Sequence, residues 1–538
     1  MRAGFDVLAA ADADAVAISV LRANLAERKY PGLRPLRHAI ACDLTMFGPE
    51  QLANRIGGKS VDVIVGGPPC QGFSTARQVD GANHGARLKA DPRRRLYKDF
   101  LRHVDFFQPK IFVLENVLGL RSAAGGKYFT SLQREARELG RLAGRPGYRV
   151  HSQIEDAWKL GVPQKRRRQL IVGVRNDLLG YFLPQLEPTS NATPRISLEA
   201  AIGDLPRLQA GQGTHIRNYD KALRKKHLKK EGKSGKRYLF RILEVTRAQR
   251  LTNHVARPHN ERDLRDFSRL REGETSASAM RNRGVRFEFP YDKKNFKDRY
   301  TRQSRKRPCS TIVAHLSKDG LMFIHPTQRR SLTAREAARI QSFPDWFEFP
   351  EARTHAFRLI GNAVPPLVGE AVGEAVKRFF DRVRFSKAGS RVQMKGVKYA
   401  PRGSAENEIS QRLTRLAKVP SNNGAAANEV VRLARLDRRS LRALTKDEFL
   451  CGWIAILYLF RDLHPDNAVE HGHQVATLPL SNGSLGNVDK IFARRYSRTG
   501  WPVALRLVGQ EAWRRYKNGE LSVDELYCDE ADTAGINM

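Results

Sequence analysis

The sequence predicts an α/β protein whose first domain is a parallel sheet with helices on both faces. Up to about residue 175, short apolar runs typical of strands alternate with stretches of helical spacing. The strand-like runs are FDVLAAAD, LRHAIACDL, VDVIVGG, KIFVLENV, YRVHSQI and QLIVGVR. Ligands of such sheets bind at the carboxyl ends of the strands. Asp12, Asp43, Cys70 and Glu115 each fall at or just after a predicted strand end, so we expect them to share one site.

The pattern changes along the 538 residues and divides the chain into five segments. We predict an α/β domain over 1–185, followed by a basic, loop-rich region over 186–325. Helical spacing then returns over 326–385, which we interpret as a return to the first domain. The polar stretch 386–425 predicts a linker. Residues 426–538 predict a small accessory domain whose role the sequence does not indicate.

The charge balance indicates a polyanionic partner. The chain has 95 Lys and Arg against 56 Asp and Glu, a formal net charge of +39, and the basic residues occur along its whole length. Each phosphate that a protein neutralises releases counterions, so an excess of this kind favours nucleic acid. The run RKKHLKKEGKSGKR at 224–237 is the densest basic stretch, and we interpret it as a DNA-backbone contact rather than a merely solvated face.

Cysteine spacing and hydropathy indicate a cytoplasmic protein without a membrane span. The five cysteines lie far apart with no CxxC pair, which argues against a zinc site and a disulfide framework and fits a reducing cytosol. The first residues lack the order of a signal peptide. The longest apolar run, LCGWIAILYLF at 450–460, is about half of what a bilayer span needs. We therefore predict that this run forms a buried helix or strand.

The stretch GGPPCQGFS presents a single cysteine on a stiff loop at the end of a predicted strand. Two glycines allow a tight turn and two prolines restrict the loop. A thiol held on such a loop near cationic groups has the setting of a nucleophile. The alternative is a small buried thiol at a turn, and this stretch alone does not decide between them.

Two further stretches carry polar residues at strand ends. FVLENV places Glu115 at the end of a buried strand, where an unpaired carboxylate is costly. VPQKRRRQLIVGV places Gln164, Arg166 and Arg168 at alternate positions, so their side chains share one face of a strand. A buried ion pair or a solvated arginine run would explain either stretch taken singly.

Taken together, the motifs resemble those of the DNA cytosine-5 methyltransferases of prokaryotic type. PPCQGFS, ENV, QxRxR, LTAREAARIQSFPD and GNAVPP occur in the family's order over about residues 4–380. RPCSTIVAHLSKDGLMFIHP at 307–326 is similar to the family's connection from the target-recognition region back to the catalytic domain. The resemblance implies that 1–185 is a Rossmann-like catalytic and cofactor-binding domain and that 186–325 is the target-recognition region. It also implies that the protein uses S-adenosyl-L-methionine to methylate a cytosine in duplex DNA.

The resemblance also implies a role for each motif residue. The target cytosine would be flipped out of the duplex, and the Cys70 thiolate would attack its carbon 6. Glu115 would hydrogen-bond the ring nitrogen 3 edge, Arg168 would hold the exocyclic oxygen and Arg166 would support the site. Gln71, Asn116 and Gln164 would be supporting residues.

For the cofactor, the resemblance assigns Asp12 to the ribose hydroxyls and Asp43 to the adenine amino group. Pro69, Leu96 and the Asn362–Ala363 pair would line the methionine end. Asp12 or Asp43 could instead cap the helix that follows it, as Asp often does. No residue is predicted to hold a metal.

One part of the family pattern is not found. The family opens with a strand and a glycine-rich FxGxGG loop, whereas this sequence starts at MRAGFDVLAAAD, where the helix after that loop should be ending. We expect a sheet without that central strand to expose two inner edges and to bind cofactor weakly. Methyl transfer by this chain and by one extended upstream tests the expectation, and equal, robust activity in both would contradict it.

Two other functions remain open at this point. An RNA cytosine-5 methyltransferase typically takes its nucleophile from a cysteine near the ENV motif, and FVLENVLGL contains none. A catalytically impaired, truncated relative kept as a DNA-binding protein is the second. We expect double-stranded DNA as partner, with a cognate restriction endonuclease as an open addition, and a monomer at the bacterial nucleoid.

Overall fold

The computed structural model describes residues 1–27, 35–68, 96–123, 125–140, 143–178, 186–289, 300–317 and 320–387, with scattered residues between 433 and 521. The strands are β1 (Ala9–Asp12), β2 (His38–Ala41), β3 (Val63–Gly66), β4 (Ile111–Asn116), β5 (Tyr148–Asp156), β6 (Arg167–Arg175), β7 (Gly213–Arg217) and β8 (Leu251–Val255).

Helices follow or separate most of these strands. They are α1 (Ala15–Leu21), α2 (Pro49–Arg55), α3 (Tyr97–Phe107), α4 (Gly119–Ser122), α5 (Lys127–Glu138), α6 (Leu198–Ile202), α7 (Lys221–Lys230), α8 (Lys233–Arg237), α9 (Glu261–Arg269), α10 (Ser276–Arg283), α11 (Ala334–Ile340), α12 (Arg353–Asn362), α13 (Pro366–Lys387) and α14 (Arg438–Ala443). Wider π-helical turns over Arg22–Glu27 and Tyr238–Ile242 extend α1 and α8.

The main sheet has four strands in the order β3-β4-β6-β5. β3 and β4 are parallel, whereas β6 runs antiparallel to both β4 and β5. The predicted α/β class is confirmed, and the antiparallel end is a difference from the expected parallel sheet. Its reason is the short connection of residues 157–166 between β5 and β6, because only antiparallel neighbours can be joined without a long crossover.

β1 and β2 form a separate parallel pair. Among the described strands, no ladder joins this pair to the four-stranded sheet, and β3 has a strand neighbour on one side only. Val65 on β3 is 65% exposed, although parallel strands are usually buried on both faces.

β4 is buried on both faces and lies between two halves of the hydrophobic core. Ile111 and Val113 point to one side, and Phe112 and Leu114 point to the other, as strand alternation requires. The second side is covered by α3 and α5, with Leu101 of α3 among the packing residues. The first side is covered by the segment 186–205 and by α11, α12 and α13.

The segment predicted to be rich in loops contains more regular structure than its sequence indicates. Its described part holds the antiparallel pair β7–β8, with α7 and α8 between the two strands, and five short helices in all, α6 to α10. These helices have only five to ten residues, which is at most three turns. Such short helices of mixed apolar and basic composition show no clear helical period in the sequence.

The helical spacing predicted over 326–385 is confirmed, and it forms three helices, α11, α12 and α13. Thr333 caps α11 in a capping box with Glu336, and the helix ends before Ser342, which has a φ of +64°. Asn362 closes α12, and the prolines of AVPP separate it from α13.

The predicted linker 386–425 and most of the predicted accessory domain lie outside the described residues. Of the apolar run at 450–460 only Trp453 is described, and it is buried. No helix within the described ranges is long and apolar enough to cross a membrane.

Candidate active site

Glu115 and Arg168 form an ion pair at the end of the main sheet. Glu115 lies opposite Leu170 in the β4–β6 ladder, so Arg168, two residues earlier, is its diagonal neighbour on the same face. The Arg168 Nε atom is 3.1 Å from the Glu115 Oε1 atom, and each side chain is 18% exposed. A carboxylate and a guanidinium therefore stand side by side with one edge open to solvent.

The surroundings of Glu115 alter its affinity for a proton. Burial raises the pKa of the Glu115 carboxyl above its usual range, while the positive charges of Arg168 and Arg166 act in the lowering direction. The net shift is upward, so this carboxyl holds a proton at higher pH than a solvated glutamate does. A group of this kind can donate a hydrogen bond to a ring nitrogen.

The chain that leads to Cys70 passes beside this pair. A Cβ atom at Gly67 would lie 3.4 Å from the Glu115 Oε2 atom, so the glycine backbone passes directly against the carboxylate. Asn116 donates a hydrogen bond from Nδ2 to the Pro68 carbonyl oxygen at 3.2 Å. Pro69, Cys70 and Gln71, which the sequence places in the site, lie outside the described residues.

The two described cysteines do not have the setting of nucleophiles. Cys309 is fully buried, and burial raises the pKa of its thiol. Burial, together with the carboxylates of Asp43 and Asp12, also raises the pKa of the Cys42 thiol. Since the thiolate is the reactive form, neither thiol is activated by its surroundings.

Arg166, just before β6, binds two segments that are distant in sequence, at Ile312 and at Gly361–Ala363. Its guanidinium donates to the carbonyl oxygens of Ile312 at 2.9 Å and Ala363 at 3.0 Å, with a longer contact to Gly361. Gln164 accepts from the Ile312 backbone N–H at 2.8 Å and donates to Gln341 at 2.8 Å. The two residues therefore share partners, as their alternate spacing predicts, and hold the Asn362–Ala363 pair near β6.

Asp12 and Asp43 lie at the carboxyl ends of the neighbouring strands β1 and β2. Both are exposed, and neither caps the helix that follows it. Asp12 accepts from the Asp14 backbone N–H, and it is Asp14 that caps α1. Asp43 accepts from the backbone N–H and hydroxyl of Thr45, which lower the pKa of its carboxyl. The capping alternative is therefore excluded for both residues.

Leu96 and Asn362 occupy helix ends near the same edge of the sheet. Leu96 precedes α3 by one residue, and one turn later Phe100 packs so closely on β3 that a Cβ at Gly66 would lie 2.7 Å from its ring. Asn362 is exposed at the end of α12.

Two structural residues of the site were not found from the sequence. Gly361 lies against the 313–314 backbone, where a Cβ would be 2.2 Å from the Ala314 nitrogen. Gln341 bridges Gln164 and the Ile360 carbonyl oxygen, to which it donates at 2.7 Å. Gln341 belongs to the motif LTAREAARIQSFPD and Gly361 to GNAVPP, so the motifs marked both segments. Their individual roles could not be predicted, because close packing between distant segments leaves no local sequence pattern.

Comparison with known proteins identifies the family of the chain. The model of the C-5 cytosine-specific DNA methylase family matches residues 1–378. The type II methyltransferase M.DdeI of Desulfomicrobium norvegicum is 34% identical over 376 residues, which are 66% of this chain and 82% of that protein. The type II methyltransferase M.Bpa9945I of Bacillus paralicheniformis is 35% identical over 328 residues, 59% of this chain and 70% of that protein.

A solved structure has a similar fold. A prophage-encoded E. coli protein assigned as a DNA modification methyltransferase superposes with a TM-score of 0.52 at 25% identity, covering 71% of this chain and 94% of that one. Fold and site thus define an α/β methyltransferase of the Rossmann-like type. The chain belongs to the C-5 cytosine-specific DNA methylase family, and it is a DNA cytosine-5 methyltransferase. Membership of this family implies S-adenosyl-L-methionine as the methyl donor.

Proposed function

We propose that the protein methylates carbon 5 of a flipped cytosine in duplex DNA through a covalent adduct with Cys70. The observation that carries this proposal is the Glu115–Arg168 pair, with the backbone of Gly67 against its carboxylate. Only two peptide bonds separate Pro68 from Cys70, a span of at most about 7 Å. The proposal therefore needs no rearrangement of β3 or β4 to bring the thiol to the pair.

In the proposed reaction, the Cys70 thiolate adds to carbon 6 and pushes electron density onto carbon 5. Glu115, with its raised pKa, donates a hydrogen bond to ring nitrogen 3 as negative charge develops there. Arg168 holds the exocyclic oxygen, and Arg166 fixes the strand on which Arg168 lies. Carbon 5 would take the methyl group that S-adenosyl-L-methionine supplies, with S-adenosyl-L-homocysteine as the leaving group. Loss of the carbon 5 proton to a base in solvent would then expel the thiolate.

The cofactor is proposed to lie at the carboxyl ends of β1 and β2. Asp12 and Asp43 are exposed there, and their backbone donors leave carboxylate oxygens available for ribose hydroxyls and an adenine amino group. Leu96 and the Asn362–Ala363 pair, together with Pro69, are proposed for the methionine end. S-adenosyl-L-methionine would supply an electrophilic methyl group there.

A covalent trap tests the proposed nucleophile. Duplex DNA with 5-fluorocytosine at the target position should form a stable adduct with the wild-type chain, because no proton can leave carbon 5. Cys70→Ser should form none, while Cys528→Ser, which lies outside the family match, should form as much as wild type. An adduct with Cys70→Ser, or a wild-type chain that turns over normally without one, would contradict the proposal.

Two alternatives that the sequence left open are tested with the same Cys70→Ser variant and with tRNA as a competing substrate. A non-catalytic DNA-binding protein would bind the duplex equally with and without the Cys70 thiol and would give no adduct in either case. An RNA methyltransferase would methylate tRNA in preference to duplex DNA. We propose that the enzyme acts as a monomer on cytoplasmic DNA at the nucleoid, and a cognate restriction endonuclease encoded beside it would place it in a modification pair.

A further inference from the structure

The stretch from α7 to residue 241 presents an exposed face of positive charge, which we call the basic face. Its members are Lys221, Lys225, Lys226, Lys229, Lys230, Lys233, Lys236, Arg237 and Arg241. The single acid in this stretch, Glu231, faces the buried His227, with Nε2 and Oε1 3.8 Å apart. Within the part of the chain that the structure describes, no ion pair neutralises a member of the basic face.

This arrangement is unfavourable for the helix itself. On α7, Lys221, Lys225 and Lys229 follow each other at i, i+4 spacing, and Lys226 and Lys230 form a second such row. Like charges at this spacing destabilise a helix. The cost falls when an external polyanion lies along the rows, since it replaces repulsion by attraction.

The inner side of the same segment is rigidly attached to the protein. Arg224 pairs with the buried Asp204, the Nε and Oδ2 atoms being 2.9 Å apart, and stacks 4.1 Å above the Tyr219 ring. His227 packs so closely on Gly203 that a Cβ there would lie 2.5 Å from the imidazole. The backbone of α7, which carries most of the basic face, is therefore anchored to the core.

A short series of contacts connects the segment to the catalytic strand. The buried Tyr238 hydroxyl donates to the Arg339 carbonyl oxygen of α11 at 2.7 Å. Two residues after Arg339, Gln341 accepts a hydrogen bond from Gln164, which precedes β6 in the chain. Arg166 and Arg168 follow Gln164 in the same segment. The basic face and the Glu115–Arg168 pair are therefore connected through packed residues.

We propose that the basic face binds the phosphate backbone of duplex DNA outside the base pairs that are read. The ten residues of α7 extend about 15 Å, over which a duplex presents about nine phosphate charges. Lysine contacts to phosphate are independent of sequence, so this face would fix the register of the duplex and add affinity without adding specificity. The inference rests on the proposed function only in taking DNA as the polyanion.

The test compares two variants of equal charge. Lys225→Gln, Lys226→Gln, Lys229→Gln and Lys230→Gln are combined in one chain, and the control combines Lys59→Gln, Lys127→Gln, Lys159→Gln and Lys377→Gln, which are exposed on other elements. Equilibrium binding to duplexes with and without the methylated site is measured at several salt concentrations.

The α7 variant should reduce the slope of log K against log salt by about 2 to 4 relative to the control and weaken binding at least about tenfold near physiological salt. The loss should be equal for both duplexes, and single-turnover methyl transfer at saturating DNA should stay within about twofold of the control. Equal slopes in the two variants would overturn the inference, as would a loss confined to the duplex that contains the methylated site. A failure of the proposed function would look different. The α7 variant would still have a smaller salt slope than the control, but the wild-type chain would transfer no methyl group to DNA.

Discussion

Glu115 and Arg168 occupy diagonal positions on the antiparallel strands β4 and β6, with their charged atoms 3.1 Å apart. Burial raises the pKa of the carboxyl, and the neighbouring guanidinium limits that rise. Arg168 therefore influences the protonation of the Glu115 carboxyl before any base enters the site. This contact leads to a prediction about paired substitutions.

Glu115→Gln should lower the single-turnover rate of methyl transfer by about 100-fold to 10,000-fold, because the amide cannot supply a proton to ring nitrogen 3. Arg168→Met should cause a loss of similar size, since the half-buried Glu115 carboxyl then loses its ion-pair partner and the exocyclic oxygen lacks its donor. The double variant should lose little more than either single one, because residues that act as a unit are not additive. Additive losses would show that the two act independently.

The cofactor residues make a prediction that separates binding from folding. Asp12→Ala should weaken binding of S-adenosyl-L-methionine at least about tenfold with a small change in stability, because Asp12 is exposed and caps no helix. Asp14→Ala is the matched control, since Asp14 caps α1 and pairs with Arg358 at 2.6 Å.

Loss of that cap should cost about 1 kcal/mol of unfolding free energy and leave the intrinsic cofactor contacts in place. Calorimetric binding and denaturant unfolding of both variants give the comparison. If Asp12→Ala lowers stability as much as Asp14→Ala and leaves cofactor affinity unchanged, Asp12 is structural.

Gly361 gives a prediction about packing behind the site. Gly361→Ala would place a methyl group 2.2 Å from the Ala314 nitrogen and 2.3 Å from the Val313 carbonyl carbon, so the end of α12 must move. The carbonyl oxygens that Arg166 binds at Gly361 and Ala363 would move with it. We expect a loss of about 2–4 kcal/mol of unfolding free energy and a slower methyl transfer step.

Gly369→Ala in α13 is the control for this substitution. Among the described residues, no atom outside the helix's own backbone and the two chain neighbours lies within 4 Å of the added methyl group, and alanine is the better helix former. The control should gain about 0.5–1 kcal/mol in a denaturant titration. A Gly361→Ala chain as stable as wild type would show that the 313–314 backbone can give way.

Residues on strand ends could be predicted from the sequence, whereas residues that join distant segments could not. Strand alternation and the position after an apolar run identify Glu115 and Arg168, because these signals lie within a few residues. The contacts of Arg166 with Ile312 and Ala363 span 146 and 197 residues, and no local period encodes such a pairing. The interruption of the sheet between β1 and β3 likewise depends on strand order, which the pattern of strands leaves open.

His254 provides a prediction about pH and stability. Its Nε2 lies 2.8 Å from the Pro206 carbonyl oxygen, to which it donates in the neutral form, and its Nδ1 lies 3.0 Å from the Thr333 hydroxyl at the cap of α11. Burial lowers the pKa of His254 to about 4, while Glu336 acts in the raising direction. The unfolded chain therefore binds a proton between about pH 6.5 and 4 that the folded chain does not, and stability falls as the pH decreases through this range.

His254→Gln keeps a donor for the Pro206 oxygen and removes the titrating group. Its unfolding free energy should depend less on pH than that of wild type, by up to about 1.4 kcal/mol per pH unit between pH 6 and 4.5. Above pH 7, where the histidine is neutral in both states, the two chains should differ by a constant amount. Urea titrations at half-unit pH intervals provide the measurement, and parallel curves over the whole range would show that His254 does not couple folding to protonation.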